Sequence, residues 1–138
     1  MAATLGAEAE ALIRRTQRRS MADAVILDAA ASAAIEQVCD ALCEELQAAV
    51  APRYLTTRFS PGYGDMPLSD QATLFRVLDV ERRIGVSLTD GGLMLPQKSV
   101  TAILGLSNCP TQTRGGCESC INHESCDYRK DGKHCGKG

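Results

Sequence analysis

Residues 58–105 read RFSPGYGDMPLSDQATLFRVLDVERRIGVSLTDGGLMLPQKSVTAILG, and the order of signals along this stretch decides the fold. Pro61, Gly62, Gly64 and Pro67 punctuate its opening, so residues 56–68 read as a loop. Ser69 then caps a helix whose apolar face is Leu74, Val77, Leu78 and Ile84, and Gly85 stops it. Two short apolar runs, 86–89 and 93–95, flank Asp90-Gly91-Gly92, which is a hairpin signal. A further apolar run, 100–106, adds a strand.

Upstream, residues 5–19 suit a helix with Leu5, Leu12 and Ile13 inside and arginines outside. Its basic last turn complements the negative end of the helix dipole. Residues 22–50 carry the strongest helical period: Ile35, Val38, Leu42, Leu46 and Val50 recur at steps of three to four. The alanines between 29 and 34 permit close approach of a neighbouring element. Pro52 ends the helix by disfavouring helical geometry in the residue before it. The sum is an α+β fold, with three helices packed on a small, mainly antiparallel sheet. Near Asn108 the composition changes to Gly, Cys, Asn and charge without apolar period. The expected organisation is therefore a domain over 1–107 and an irregular Cys-rich tail over 108–138.

The 138 residues fit one domain, and 44% apolar content allows a modest core. Aromatics are only 4% and Trp is absent, so that core must be aliphatic. A net charge of −2 gives no footprint for nucleic acid. Arg14-Arg15 and Arg18-Arg19 read as a solvated helix face. There is no export signal and no apolar run long enough for a bilayer, so the expectation is a cytoplasmic protein without membrane or nucleic-acid partners. There its seven cysteines are reduced, and the odd count argues against a disulfide framework.

Three parts of the 58–105 stretch together resemble the activation domain of cobalamin-dependent methionine synthase. They are the Arg-x-x-x-Gly-Tyr loop from Arg58 to Tyr63, the acidic-basic-Gly helix end from Asp79 to Gly85, and Leu88-Thr89-Asp90 followed by Pro96 and Ser99-Val100. Thr4-Leu5-Gly6 and Ile26-Leu27-Asp28-Ala29 resemble small free-standing versions of that domain, so the likeness covers roughly residues 3–107. The chain departs from the family pattern where Gly91 and Gly92 replace bulkier residues. The paired tyrosines of the large enzymes have no match, and the family's domain extends further upstream. The expectation is an N-terminally shortened form, whether truncated, started at a different residue, or completed by a partner.

The resemblance implies S-adenosylmethionine as ligand, cobalamin on the partner, and an accessory protein rather than a complete enzyme. It would dock on the cobalamin-binding module of a methionine synthase or related corrinoid protein. A flavodoxin- or ferredoxin-type donor would supply the electron for reductive reactivation. The chemistry of the loop agrees. Arg58 can grip a carboxylate bidentately, Gly62 lets backbone approach a ligand, and Pro61 stiffens the loop next to Ser60. Tyr63 offers an aromatic face to a cation and a hydroxyl for a hydrogen bond. Asp28, Glu36 and Glu44 are candidates for the ligand's ammonium. No nucleophile or general base is evident.

The tail spacing is Cys109-x7-Cys117-x2-Cys120-x5-Cys126-x8-Cys135, with His123 and His134 interleaved. Cys117 and Cys120 have the spacing of a metal knuckle, and thiolates suit zinc or an iron–sulfur cluster. A cluster here would make the tail an electron port. The second reading is accordingly a metal-binding or iron–sulfur redox protein serving another corrinoid protein, and the third a zinc-knuckle interaction module. Cys39 and Cys43, four apart on one helix, read as small core fillers.

Overall fold

A computed structural model describes residues 1–110 and 124–127. The fold is α+β. Helices α1 (Gly6–Gln17), α2 (Met21–Val50), α3 (Asp70–Leu78) and α4 (Val80–Ile84) accompany six short strands. These are β1 (Ala2–Thr4), β2 (Tyr54–Leu55), β3 (Ser87–Leu88), β4 (Met94–Leu95), β5 (Ser99–Thr101) and β6 (Leu106–Ser107). They pair antiparallel two by two, β1 with β5, β2 with β6 and β3 with β4, instead of forming one continuous sheet.

The long helix α2 organises the rest. Ser20 precedes it in an extended conformation and its hydroxyl accepts from the Asp23 N–H at 3.2 Å, supplying one of the partners that a helix start lacks. Ile35 and Cys39 are buried on its inner face, with Leu42, Leu46 and Val50 half-buried in line with them. Val38 was expected on that face but is exposed. At 3.6 residues per turn it falls at the edge of the stripe. Helix α1 packs along α2.

The expected third helix is two helices. Asp79 takes a left-handed conformation, φ 51° and ψ 47°, and breaks the rod between α3 and α4. The break changes which residues face inward. Val77, expected on the buried face, is 73% exposed, while Val80 just past the break is 2% exposed.

Strand β1 lies ahead of the expected first helix, where no element was expected, and it carries part of the core. Ala2, Ala3 and Thr4 pair with Thr101, Val100 and Ser99, and the Leu5 N–H continues the ladder to the Lys98 carbonyl at 3.0 Å. Ala3 is thereby pressed against Ile35 and Cys39, with Leu5 and Val100 closing the cluster. Among the described residues no helix is long and apolar enough to cross a membrane.

Candidate functional site

Arg58 is positioned from two sides. Residues 54–59 run antiparallel to residues 103–107: Tyr54 and Leu55 pair with Ser107 and Leu106, Thr56 binds Gly105 through backbone and hydroxyl, and Phe59 bridges Ile103. The stretch after Leu55, read as loop, is therefore extended and held in a ladder as far as Phe59. From α2, the Gln47 amide clamps the start of this stretch, accepting from the Leu55 N–H and donating to the Arg53 carbonyl, both at 2.8 Å. The Arg58 side chain then crosses back to α2. Its Nη1 donates to Asp40 Oδ1 at 2.7 Å and lies 3.6 Å from Cys43 Sγ; its Nη2 donates to Glu36 Oε2 at 2.9 Å. Positions 36, 40 and 43 lie on one helix face, which is why one guanidinium reaches all three.

Two carboxylates around one guanidinium leave a local charge of −1. Both acids are more than half exposed, whereas the Arg58 side chain is 23% exposed. Burial pulls the guanidinium's pKa down, but the hydrogen bonds and charges of Asp40 and Cys43 outweigh it and the pKa is raised, so Arg58 is a permanent cation. A guanidinium has five N–H donors. Three are engaged among the described residues, which leaves two, including Nε–H, for an incoming acceptor.

Arg58 stands between two grooves of about 730 Å³ each, a volume usual for a small-molecule site. The first is lined by Glu36, Arg58, Ser60, Pro61 and Tyr63, with Phe59, Leu68, Leu93 and Val100 forming apolar wall. Turns in the 60–66 segment shape its mouth: the Gly62 N–H donates to the Met66 carbonyl at 2.9 Å and the Tyr63 N–H to the Ser60 carbonyl at 3.2 Å. Gly62 makes the first of these at φ 90°, a conformation that L residues with a Cβ avoid. Gln71 and Thr101 sit in the groove's lining, 4% and 2% exposed. The second groove, on the other side of Arg58, is lined by Asp40, Cys43, Glu44, Gln47, Leu55 and Leu104.

The structure thus brings Arg58, Ser60, Pro61, Tyr63 and Glu36 to one groove, with Gly62 in the turn that shapes it. Glu44 lines the second groove. Asp28 is apart from both: its Oδ1 pairs with Lys98 Nζ at 2.8 Å, and Lys98 also donates to Ser32. Asp40, Gln71 and Thr101 were not foreseen. The spacing of Asp40, four residues from both Glu36 and Glu44, marks it on the helix face they share. Gln71 and Thr101 carry no comparable signal.

Cys39 is fully buried and Cys43 half-buried against Arg58. Burial pushes the Cys39 thiol's pKa up. Cys109 and Cys126 are free thiols, while Cys117, Cys120, Cys135 and both histidines lie outside the described residues. Among the described residues no cluster of three metal-ligating side chains occurs.

The α+β unit thus carries an open groove that sets an arginine cluster beside an apolar rim. The family model described as "Vitamin B12 dependent methionine synthase, activation domain" matches residues 37–113, over half the chain, and the protein belongs to that family. No curated protein matches the chain. The matched span holds Arg58, the whole 60–68 segment and strands β2 to β6, while Glu36 falls just ahead of it. At the level of the family, the chain is tied to reactivation of B12-dependent methionine synthase and to a cobalamin-binding module as partner.

Proposed function

We propose that the first groove binds S-adenosylmethionine and that the protein, as an accessory subunit, presents the methyl donor to cobalamin held by a partner. The observation that carries this reading is the Arg58 cluster: a buried-stem guanidinium with two free donors beside a carboxylate in excess. A zwitterionic amino-acid end needs that pair of charges, its carboxylate on Arg58 and its ammonium on Glu36. The apolar wall and Tyr63 supply contact for the flat and sulfonium-bearing remainder.

Cobalamin on the partner would supply the chemistry, reductive methylation with S-adenosylmethionine as methyl donor and a flavodoxin- or ferredoxin-type protein as electron source. This chain's contribution is positioning. Arg58 fixes one end of the donor, Pro61 and Gly62 hold the loop in shape, and the groove walls exclude water from the transfer. Tyr63 and Leu93, 70% and 67% exposed at the rim, give an apolar margin on which a partner can seat. A cytoplasmic setting goes with this reading.

The test is calorimetric titration with S-adenosylmethionine, with and without a corrinoid protein. Arg58→Ala should weaken binding by about 2–3 kcal/mol, the cost of a charged hydrogen-bonded pair. Arg58→Lys should recover only part of this, because an ammonium cannot bind two oxygens in one plane. No heat from folded wild-type protein in either setting would refute the proposal.

The cysteine spacing supports a separate proposal for the tail, a thiolate site for zinc or an iron–sulfur cluster that could pass the electron. Iron, sulfide and zinc analysis of anaerobically purified protein decides it. A colourless protein free of both metals ends it.

A further inference from the structure

Two hydrogen-bonding side chains in the first groove are left without work by the Arg58 cluster. Gln71, in the first turn of α3, is 4% exposed; no hydrogen bond to its amide occurs among the described residues, and the amide, unlike the Thr101 hydroxyl, is not sealed off from the groove it lines. Thr101, at the end of β5, is 2% exposed, and its buried hydroxyl has no partner among the described residues. Both line the groove. Buried polar groups are nearly always satisfied, and an unsatisfied one costs stability. Nothing in the fold compels a Gln at 71. The position lies on a helix, where Met or Leu would serve as well and leave no amide unmatched.

We infer that Gln71, assisted by the Thr101 hydroxyl, reads the amino-and-ring-nitrogen edge of a nucleobase bound in the first groove. This rests on the proposed S-adenosylmethionine site and extends it to the donor's other end. A primary amide offers one acceptor and a donor pair side by side, which matches an adenine edge bidentately. The flanking wall is apolar, with Phe59, Leu68 and Leu93, and suits the two faces of a flat heterocycle. Rotation of Thr101 between staggered positions turns its hydroxyl toward a bound ligand without moving the backbone.

The probes are 5′-methylthioadenosine, which lacks the amino-acid end, and its counterpart without the 6-amino group, titrated into the full-length protein. Wild type should prefer the adenine compound roughly tenfold, as expected for one lost hydrogen bond that leaves a buried partner behind. Gln71→Met should abolish that preference to within about twofold while preserving the fold by circular dichroism. Thr101→Val, nearly the same shape, should weaken the adenine compound yet raise the melting temperature, since it deletes an orphaned hydroxyl. If Gln71→Met does not fold, the Thr101→Val pair of readings decides. Unchanged preference in Gln71→Met, unchanged affinity in Thr101→Val, or no binding of methylthioadenosine would overturn the inference. Failure of the Arg58 reading looks different. There, methylthioadenosine would bind in a Gln71-dependent manner, while S-adenosylmethionine bound no more tightly and did not respond to Arg58→Ala.

Discussion

At residue scale the glycines opposite Leu68 are set by close packing. Gly92 has φ 80°, and a Cβ there would stand 3.2 Å from two Leu68 side-chain carbons; a Cβ on Gly62 would stand 3.4 Å from the same side chain. Leu68 thus packs against both turns, and a side chain at position 92 would have to displace it. Gly92→Ala should lower stability by about 1 kcal/mol or more, the left-handed penalty plus the displacement of Leu68, read as a shift of the urea midpoint at unchanged slope. Cys39 gives a second prediction. Its buried thiol keeps its proton above the ordinary thiol pKa of about 8.5, where the unfolded chain loses it. The folded state therefore binds more protons in that window. Stability is full below the ordinary thiol value and falls as pH rises toward the folded one. Unfolding free energies from pH 7 upward should decline, and Cys39→Ala should flatten that part of the decline. Of the site, Arg58 and the Pro-Gly-Tyr bend are legible because special residue types cluster within six positions. Gln71 and Thr101 are not. Each looks ordinary alone and becomes informative only when folding places it, nearly buried, in the lining of the groove.

At the scale of elements, the helices could be read from their period and the strands largely could not. α2 announces itself over 30 residues, but β1 and β2 are three and two residues long, too short to show an alternation. Their existence depends on partners about 100 and 50 positions away. The break at Asp79 was hidden for another reason. Asp is an ordinary helix residue by sequence, and its left-handed conformation comes with the burial of Val80 next to it. Asp79 also accepts from Arg82 Nε at 2.5 Å, but both side chains are well exposed and that pair contributes little. Asp79→Gly should therefore stabilise the protein by roughly 0.5–1 kcal/mol, the relief of the positive φ, measured as a higher melting temperature. A fall in melting temperature would show that the Asp79–Arg82 pair holds the break together.

At the scale of the whole molecule, the family-matched span does not contain everything the groove needs. β5 carries Ser99, Val100 and Thr101 on the groove's wall, and its ladder partner is β1. Ala3 and Ile35, also outside the match, supply two of the three buried residues of the main cluster. A fragment of residues 37–113 should consequently show no cooperative unfolding transition by circular dichroism, because β5 loses its ladder and Cys39 its cover. Adding residues 1–36 in trans, as a synthetic peptide, should restore part of the helical signal.

The pairing of Ala2 with Thr101 also fixes an order of events during synthesis. A ribosome delivers the first strand about a hundred residues before the strand it must lie against, and α1 and α2 can coil long before either is paired. The nascent chain thus carries helices but no finished groove wall until translation has passed position 101.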